Sequence, residues 1–267
     1  MQDSALLEIA HLKKSYGGEN DALTDVSFRQ RPGEFISIIG SSGAGKSTLL
    51  KCVNRLVDPT GGAICFNGVD MTTLSGTQLR RMRRRMSMVF QSYNLVYRSS
   101  AIENVLQGRL GYKSTLAGAL GIWSGDEKRH ALRMLERVGL ADCAFRRTDQ
   151  LSGGQQQRVG IARALIQNPL LILADEPIAS LDPASSRTVM QLLRDACDKL
   201  GIACLVSLHQ VDFALEFSDR VIGLAKGVLC YDGPPRDLTK RDIARIYGEK
   251  RAEAGIEYED ADHVLSC

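Results

Sequence analysis

The chain has 267 residues, of which 44% are apolar and 24% charged. That composition fits a soluble globular protein with a core of useful size, and it argues against a disordered tail, a collagen-like repeat or a disulfide-stapled miniprotein. Thirty-four basic side chains against thirty-one acidic ones leave a formal charge of +3, too slight a bias to mark a nucleic-acid binder. In chain order, residues 6–13 read as a strand, with Tyr16 in the turn after it. Gly33 precedes a buried apolar run over 35–39. That run ends in a glycine-serine loop, and helical spacing follows over 46–56. Asp58-Pro59-Thr60-Gly61-Gly62 is a turn cluster. Residues 63–66 and 86–90 are short strand candidates.

From 93 to about 148 alternation fades and helical spacing dominates, as in 128–138. This stretch reads as a helical insertion in an α/β frame. The frame resumes with a helix over 155–166 and a continuous apolar strand over 170–174. A helix over 184–200 leads into a buried run over 202–208. Strands over 221–224 and 228–231 flank a turn at Gly227. Residues 242–267 are charged and predict a helix followed by a frayed tail. Strands apolar on both faces, alternating with helices, predict a mainly parallel sheet covered on both sides.

The seven cysteines form no Cys-x-x-Cys pair and no zinc-site spacing. Scattered thiols in a core-forming chain predict a reducing, cytosolic address. The N-terminal residues lack the apolar block of a signal peptide. No apolar run approaches the ~18 residues of a membrane span, so any membrane role is expected to run through a partner.

Three strings carry chemistry. Gly40-Ser41-Ser42-Gly43-Ala44-Gly45-Lys46-Ser47 fits the P-loop pattern, between a buried strand and a helix. Glycines let the backbone curl until its N–H groups face phosphate oxygens, and the helix dipole favours the same anion. Lys46 is expected on the β- and γ-phosphates and Ser47 on Mg²⁺, with Thr48 beside it. Leu170-Leu171-Ile172-Leu173-Ala174-Asp175-Glu176 delivers two carboxylates to the carboxyl edge of a sheet, where ligands of open α/β folds bind. Asp175 is expected to hold Mg²⁺ and Glu176 to polarise the attacking water. Leu151-Ser152-Gly153-Gly154-Gln155 opens a helix and makes a second anion site. One chain binding one ATP does not need two such sites, so this one suits the nucleotide of another subunit.

These three strings together resemble the ABC transporter ATPases, and the resemblance covers residues 6–237. It implies a P-loop NTPase of ABC type: a RecA-like, mainly parallel core, an N-terminal antiparallel β part and a helical subdomain. The implied layout is an ATPase domain over 1–240, with the helical subdomain inserted at about 93–158, and a C-terminal helix and tail over 241–267. Tyr16 resembles the aromatic residue that stacks on adenine. Gln91 resembles the Q-loop glutamine that meets Mg²⁺ and the attacking water. Asp182 resembles the D-loop aspartate at the dimer interface, and His209 the switch histidine on the γ-phosphate.

Leu208-His209-Gln210-Val211-Asp212, the stretch 175–183 and Glu103-Asn104-Val105-Leu106 are similar to the branch that energises phosphonate import. So is the long segment between Gln91 and Ser152, which contains Gly121-Ile122-Trp123. The resemblance implies ATP and Mg²⁺ as cofactors and a homodimer of ATPase subunits on transmembrane permease subunits. It implies a solute-binding protein as an indirect partner, a place on the cytoplasmic face of the inner membrane, and no nucleic acid. An importer of phosphite or another small solute is the nearest alternative. A soluble ABC ATPase of nucleic acid or ribosomes is the more distant one, disfavoured by a single motif set and no heptads. Arg80, Arg81, Arg83, Arg84 and Arg85 form a basic cluster that suits either anionic head groups or solvent. Trp123 with Leu116, Leu120 and Ile122 suits either an exposed apolar patch or core packing.

Overall fold

The computed structural model describes residues 5–17 and 21–248. The sequence predicts a strand at the start of the chain, and β1 spans Leu7–Lys14, followed by β2 at Leu23–Gln30 and β3 at Phe35–Ile39. Helix α1 (Lys46–Val53) leads to β4 (Gly61–Phe66), β5 (Val69–Asp70), α2 (Gly76–Arg83) and β6 (Met86–Val89). The insertion contributes α3 (Ala101–Gln107), α4 (Thr115–Ala119) and α5 (Gly125–Arg137). Then come α6 (Gly153–Leu165), β7 (Leu171–Asp175), α7 (Pro183–Leu200), β8 (Ala203–Leu208) and α8 (Val211–Phe217). Strands β9 (Arg220–Ala225) and β10 (Val228–Gly233) precede α9 (Lys240–Tyr247). The tail expected beyond α9 lies outside the described residues.

The strands form one mixed sheet in the order β5-β4-β1-β2-β10-β9-β3-β8-β7-β6. Strands β9, β3, β8, β7 and β6 pair in parallel, with Phe35 opposite Cys204, Leu171 opposite Ala203 and Met86 opposite Leu171. Every residue of β3, β7 and β8 is buried. Side chains alternate across a strand, so each strand feeds two cores. Phe35 and Ile39 join the core beneath the insertion and α7, whereas Ile36 and Ile38 join the core around α1, β1 and β2. The β1, β2, β4 and β5 pairings are antiparallel.

Several elements depart from the sequence reading. Strand β2 escapes the sequence reading because its buried residues Leu23 and Val26 are three apart, at a register irregularity, and its last buried residue is polar; the Gln30 amide donates to Glu34 O at 3.0 Å and Cys204 O at 2.8 Å. Helix α1 stops short of residue 56 because Arg55 adopts φ 54°, and its Nε donates to Asp58 Oδ1 at 2.8 Å. Leu116, Leu120 and Ile122 are exposed, while Trp123 packs partly on the core with Lys113 Nζ 5.0 Å from its ring centroid. In the basic cluster, Arg83 donates to the carbonyls of Asn54 and Arg55, and Arg84 sits over the Tyr112 ring. The six described cysteines are free. Among the described residues no helix is long and apolar enough to cross a membrane.

Candidate functional site

The parallel strands share one direction, so their carboxyl ends lie along one edge of the sheet. There β3 releases the loop that starts at Gly40, β7 ends at Asp175, β8 ends one residue before His209, and β6 ends two residues before Gln91. Residues separated by more than a hundred positions therefore meet.

The loop from Gly40 to Gly45 turns where only glycine fits. A Cβ on Gly40 would lie 2.3 Å from Leu224 O, and one on Gly45 would lie 2.5 Å from Ala22 O. Gly45 also has φ 105° at the N-terminus of α1, a conformation that costs little without a Cβ. The curled loop, with Ser42, Gly43, Ala44, Ser47 and Thr48, lines a 190 Å³ cleft whose far wall includes Glu176. Backbone N–H groups and the start of α1 make this a cleft for an anion.

Lys46 is only 4% exposed. Its Nζ donates to Gly40 O at 2.7 Å and Ser41 O at 3.2 Å, and lies 4.0 Å from Glu176 Oε1. Burial lowers its pKa, partly countered by the negative charges of Glu176 and Asp175. Ser47 Oγ donates to Asp175 Oδ1 at 2.7 Å. His209 Nε2 lies 2.5 Å from Glu176 Oε1, so one carboxylate oxygen faces both Lys46 and His209. Glu176 holds φ 48°, an uncommon conformation for a residue with a long side chain, of the kind found at functional sites.

Ser207 is the residue the sequence reading missed. Its Oγ donates to Asp175 Oδ1 at 2.9 Å and accepts from the Glu176 N–H at 2.9 Å. From the neighbouring strand it holds the Asp175 carboxylate and the backbone of Glu176. The available signal was a lone hydroxyl in an apolar strand, two residues before His209. Ala22, on the cleft wall, carried no signal.

Other expected site residues form no hydrogen bond with this cluster among the described residues. Tyr16 is 62% exposed just beyond β1, with Lys14 Nζ 4.8 Å from its ring centroid. Gln91 is exposed. Ser152 caps α6 in a capping box: its Oγ accepts from Gln155 N–H at 3.3 Å, and Gln155 Oε1 accepts from Ser152 N–H at 2.9 Å. Gly153 and Gly154 follow in the first turn, and a Cβ on Gly154 would lie 2.7 Å from Ser185 Oγ. Asp182 caps α7, accepting from Ser185 N–H at 3.0 Å, and hydrogen bonds to Ser185 hold its pKa below the usual value.

A doubly covered sheet with a P-loop, two carboxylates at the end of a strand two places away and a separately capped second helix defines a nucleotide-binding cassette. The family model described as ABC transporter matches residues 23–179, and the chain belongs to this family. A phosphonates import ATP-binding protein of Oceanobacillus iheyensis is 51% identical over 93% of this chain and 98% of its own. A phosphite import ATP-binding protein of Stutzerimonas stutzeri is 51% identical over 91% of this chain and 87% of its own. The dimeric ATP-binding cassette MJ0796, bound to ADP and Pi, superposes with TM-score 0.76 at 36% identity, over 86% of this chain and 99% of that one.

Proposed function

We propose that the chain is the ATP-hydrolysing subunit of an importer that carries phosphonates across the cytoplasmic membrane. The observation that carries the chemistry is the Glu176 carboxylate, poised 2.5 Å from His209 and 4.0 Å from Lys46 beside a P-loop. In this reading Tyr16 stacks on adenine, and Gly40 to Thr48 cradle the phosphates with Lys46 on the β- and γ-positions. Glu176 accepts the proton of the attacking water, positioned with help from Gln91. His209 holds the carboxylate in place and meets the γ-phosphate.

The hard oxygens of Ser47 and Asp175, 2.7 Å apart, suit Mg²⁺, with Gln91 as a further ligand. Among the described residues no group of three or more His, Cys, Asp and Glu side chains could hold a metal by itself. That fits an ion completed by phosphates and water. When bound, Mg²⁺ would supply positive charge against the transferring phosphoryl group.

Two copies close head-to-tail, so that Ser152, Gly153, Gly154 and Gln155 of one face the nucleotide of the other, with Asp182 at the joint. ATP favours the closed dimer and hydrolysis releases it. The ATPase domain spans 1–240, with the helical subdomain inserted at about 93–158, and α9 closes the described part of the chain. Transmembrane subunits, served by a solute-binding protein, dock at the membrane side. The 460 Å³ groove lined by Asn54, Arg83, Phe90, Asn94 and Arg163 is the candidate seat.

The cargo rests on relatives at about half identity. Phosphite is the second reading, favoured by the Stutzerimonas relative at equal identity. Uptake of labelled alkylphosphonate by cells with and without the gene, with Glu176→Gln as inactive control, tests the assignment. Loss of uptake in both supports it. Unchanged phosphonate uptake with lost phosphite uptake would transfer it to phosphite.

A further inference from the structure

The last described helix reaches back to the carboxyl edge of the sheet. A capping box opens α9: Thr239 Oγ accepts from the Asp242 N–H at 3.2 Å, and Asp242 Oδ2 accepts from the Thr239 N–H at 3.1 Å. Ile243 and Ile246, three residues apart, share one face of the helix. Both are buried, in the core that α8 also enters through Val211, Ala214 and Phe217. Ile246 nests on β9 where that strand carries no side chain, because a Cβ on Gly223 would lie 2.4 Å from Ile246 Cδ1. Gly223 stands opposite Ile39, the residue before the P-loop. The helix is thus seated on the strand beside the one that releases the phosphate loop.

Tyr247 follows Ile246 and is half-buried. Its hydroxyl donates to the backbone oxygen of His209 at 3.3 Å. His209 lies in the short link between β8, which ends at Leu208, and α8, which starts at Val211. Gln210, the N-cap of α8, makes no side-chain capping bond. The start of α8 therefore does not brace its link as Ser152 and Asp182 brace theirs, and a hydroxyl from α9 binds it instead. His209 is held twice: its Nε2 lies 2.5 Å from Glu176 Oε1, and its main chain is tied to Tyr247. A histidine that meets charge on a transferring phosphoryl group acts only from the right place, and a misplacement of about 1 Å removes much of such an effect.

We infer that Tyr247 is a positioning residue for ATP hydrolysis: through the His209 carbonyl it keeps the switch histidine in register with Glu176. This rests on the reading above in which His209 meets the γ-phosphate, and it gives α9 a part in the site.

Tyr247→Phe removes one hydroxyl and keeps the ring in the core. On the full chain kcat should fall about three- to tenfold, the effect of one hydrogen bond. The KM for ATP should change less than twofold, and the melting temperature should stay close to wild type. A merely structural role would lower the melting temperature and leave the kcat of the folded protein alone. The same substitution is then made in His209→Ala, with hydrolysis followed over hours so that the slow background is read. There it should change the rate less than twofold, because residues that act through one group are not additive. An unchanged kcat in Tyr247→Phe overturns the inference. So does an equal fold-loss on both backgrounds, since Tyr247 would then act by a route that does not include His209. Wild-type turnover in His209→Ala removes His209 from the reaction, and the reading above then fails together with the positioning role.

Discussion

The two anion-binding helix starts in this chain differ in how much of a site surrounds them. At the start of α1, Lys46 is buried, Ser47 is hydrogen-bonded to Asp175, and Glu176 and His209 close in from the next strands. At the start of α6, Ser152 is exposed, and its capping bonds run only to Gln155 within the same turn. The first is a site built by one chain's sheet. In the head-to-tail dimer proposed above, the second is half a site, presented outward, and each copy supplies what the other lacks.

The largest expected effect breaks the complete site. Glu176→Gln removes the proposed proton acceptor but keeps the shape and a hydrogen-bonding oxygen for His209. ATP turnover should fall by roughly 10² to 10⁴, the range for loss of a general base, while ATP binding persists. Steady-state hydrolysis and equilibrium nucleotide binding on the same preparation check it. Near-wild-type turnover would remove Glu176 from its role.

The half-site is sharpened by mixing lesions. Purified heterodimers can carry Lys46→Ala on one subunit and Ser152→Ala on the other, or both on one subunit beside a wild-type partner. If Ser152 serves the partner's nucleotide, the first arrangement keeps one intact site and about half the activity, and the second damages both sites. If Ser152 serves its own subunit, the result inverts. Ser152→Ala also loses a helix cap, worth about 1 kcal/mol, so the melting temperature must be read alongside.

Ser207→Ala is a smaller perturbation of the complete site. It leaves the Glu176 N–H without its acceptor and Asp175 Oδ1 with one donor fewer. A lost partner at a buried group costs about 1–3 kcal/mol, so kcat should fall by about tenfold. An unchanged kcat would mean that strand β8 positions the carboxylates without this hydroxyl.

The same contrast explains what the sequence made legible. The P-loop, the carboxylate pair and the Ser152–Gln155 string are contiguous, and their spacing reflects local backbone geometry: a curled loop, a strand end, a capped turn. The parallel core was legible because β3, β7 and β8 are apolar on both faces. What was not legible depends on distant pairings. Ser207 matters only because β8 lies beside β7. Strand β2 is hidden by the irregular spacing of Leu23 and Val26 and by a polar last residue, Gln30, whose buried partners lie on β8 and before β3. Short helices such as α3 and α8 hold too few turns to establish a period.

The smallest expected effect concerns Asp182, at the junction of the two regions. Hydrogen bonds from Ser185 favour its charged form, so its folded pKa lies below the ordinary 3.8. A carboxylate with a depressed folded pKa adds stability that is fully present above the unfolded value and is lost as pH falls through the folded one. Asp182→Asn can still cap α7 with its side-chain oxygen, so at neutral pH the variant should melt close to wild type. The difference between them should stay constant from neutral pH down to about 4 and shrink below that, toward the folded pKa. Melting curves at closely spaced acid pH values read this directly. A difference that instead grows on acidification would mean that the charged form is not the one held by Ser185. Asp182 would then be free to act at the dimer joint without first giving up an intrachain bond.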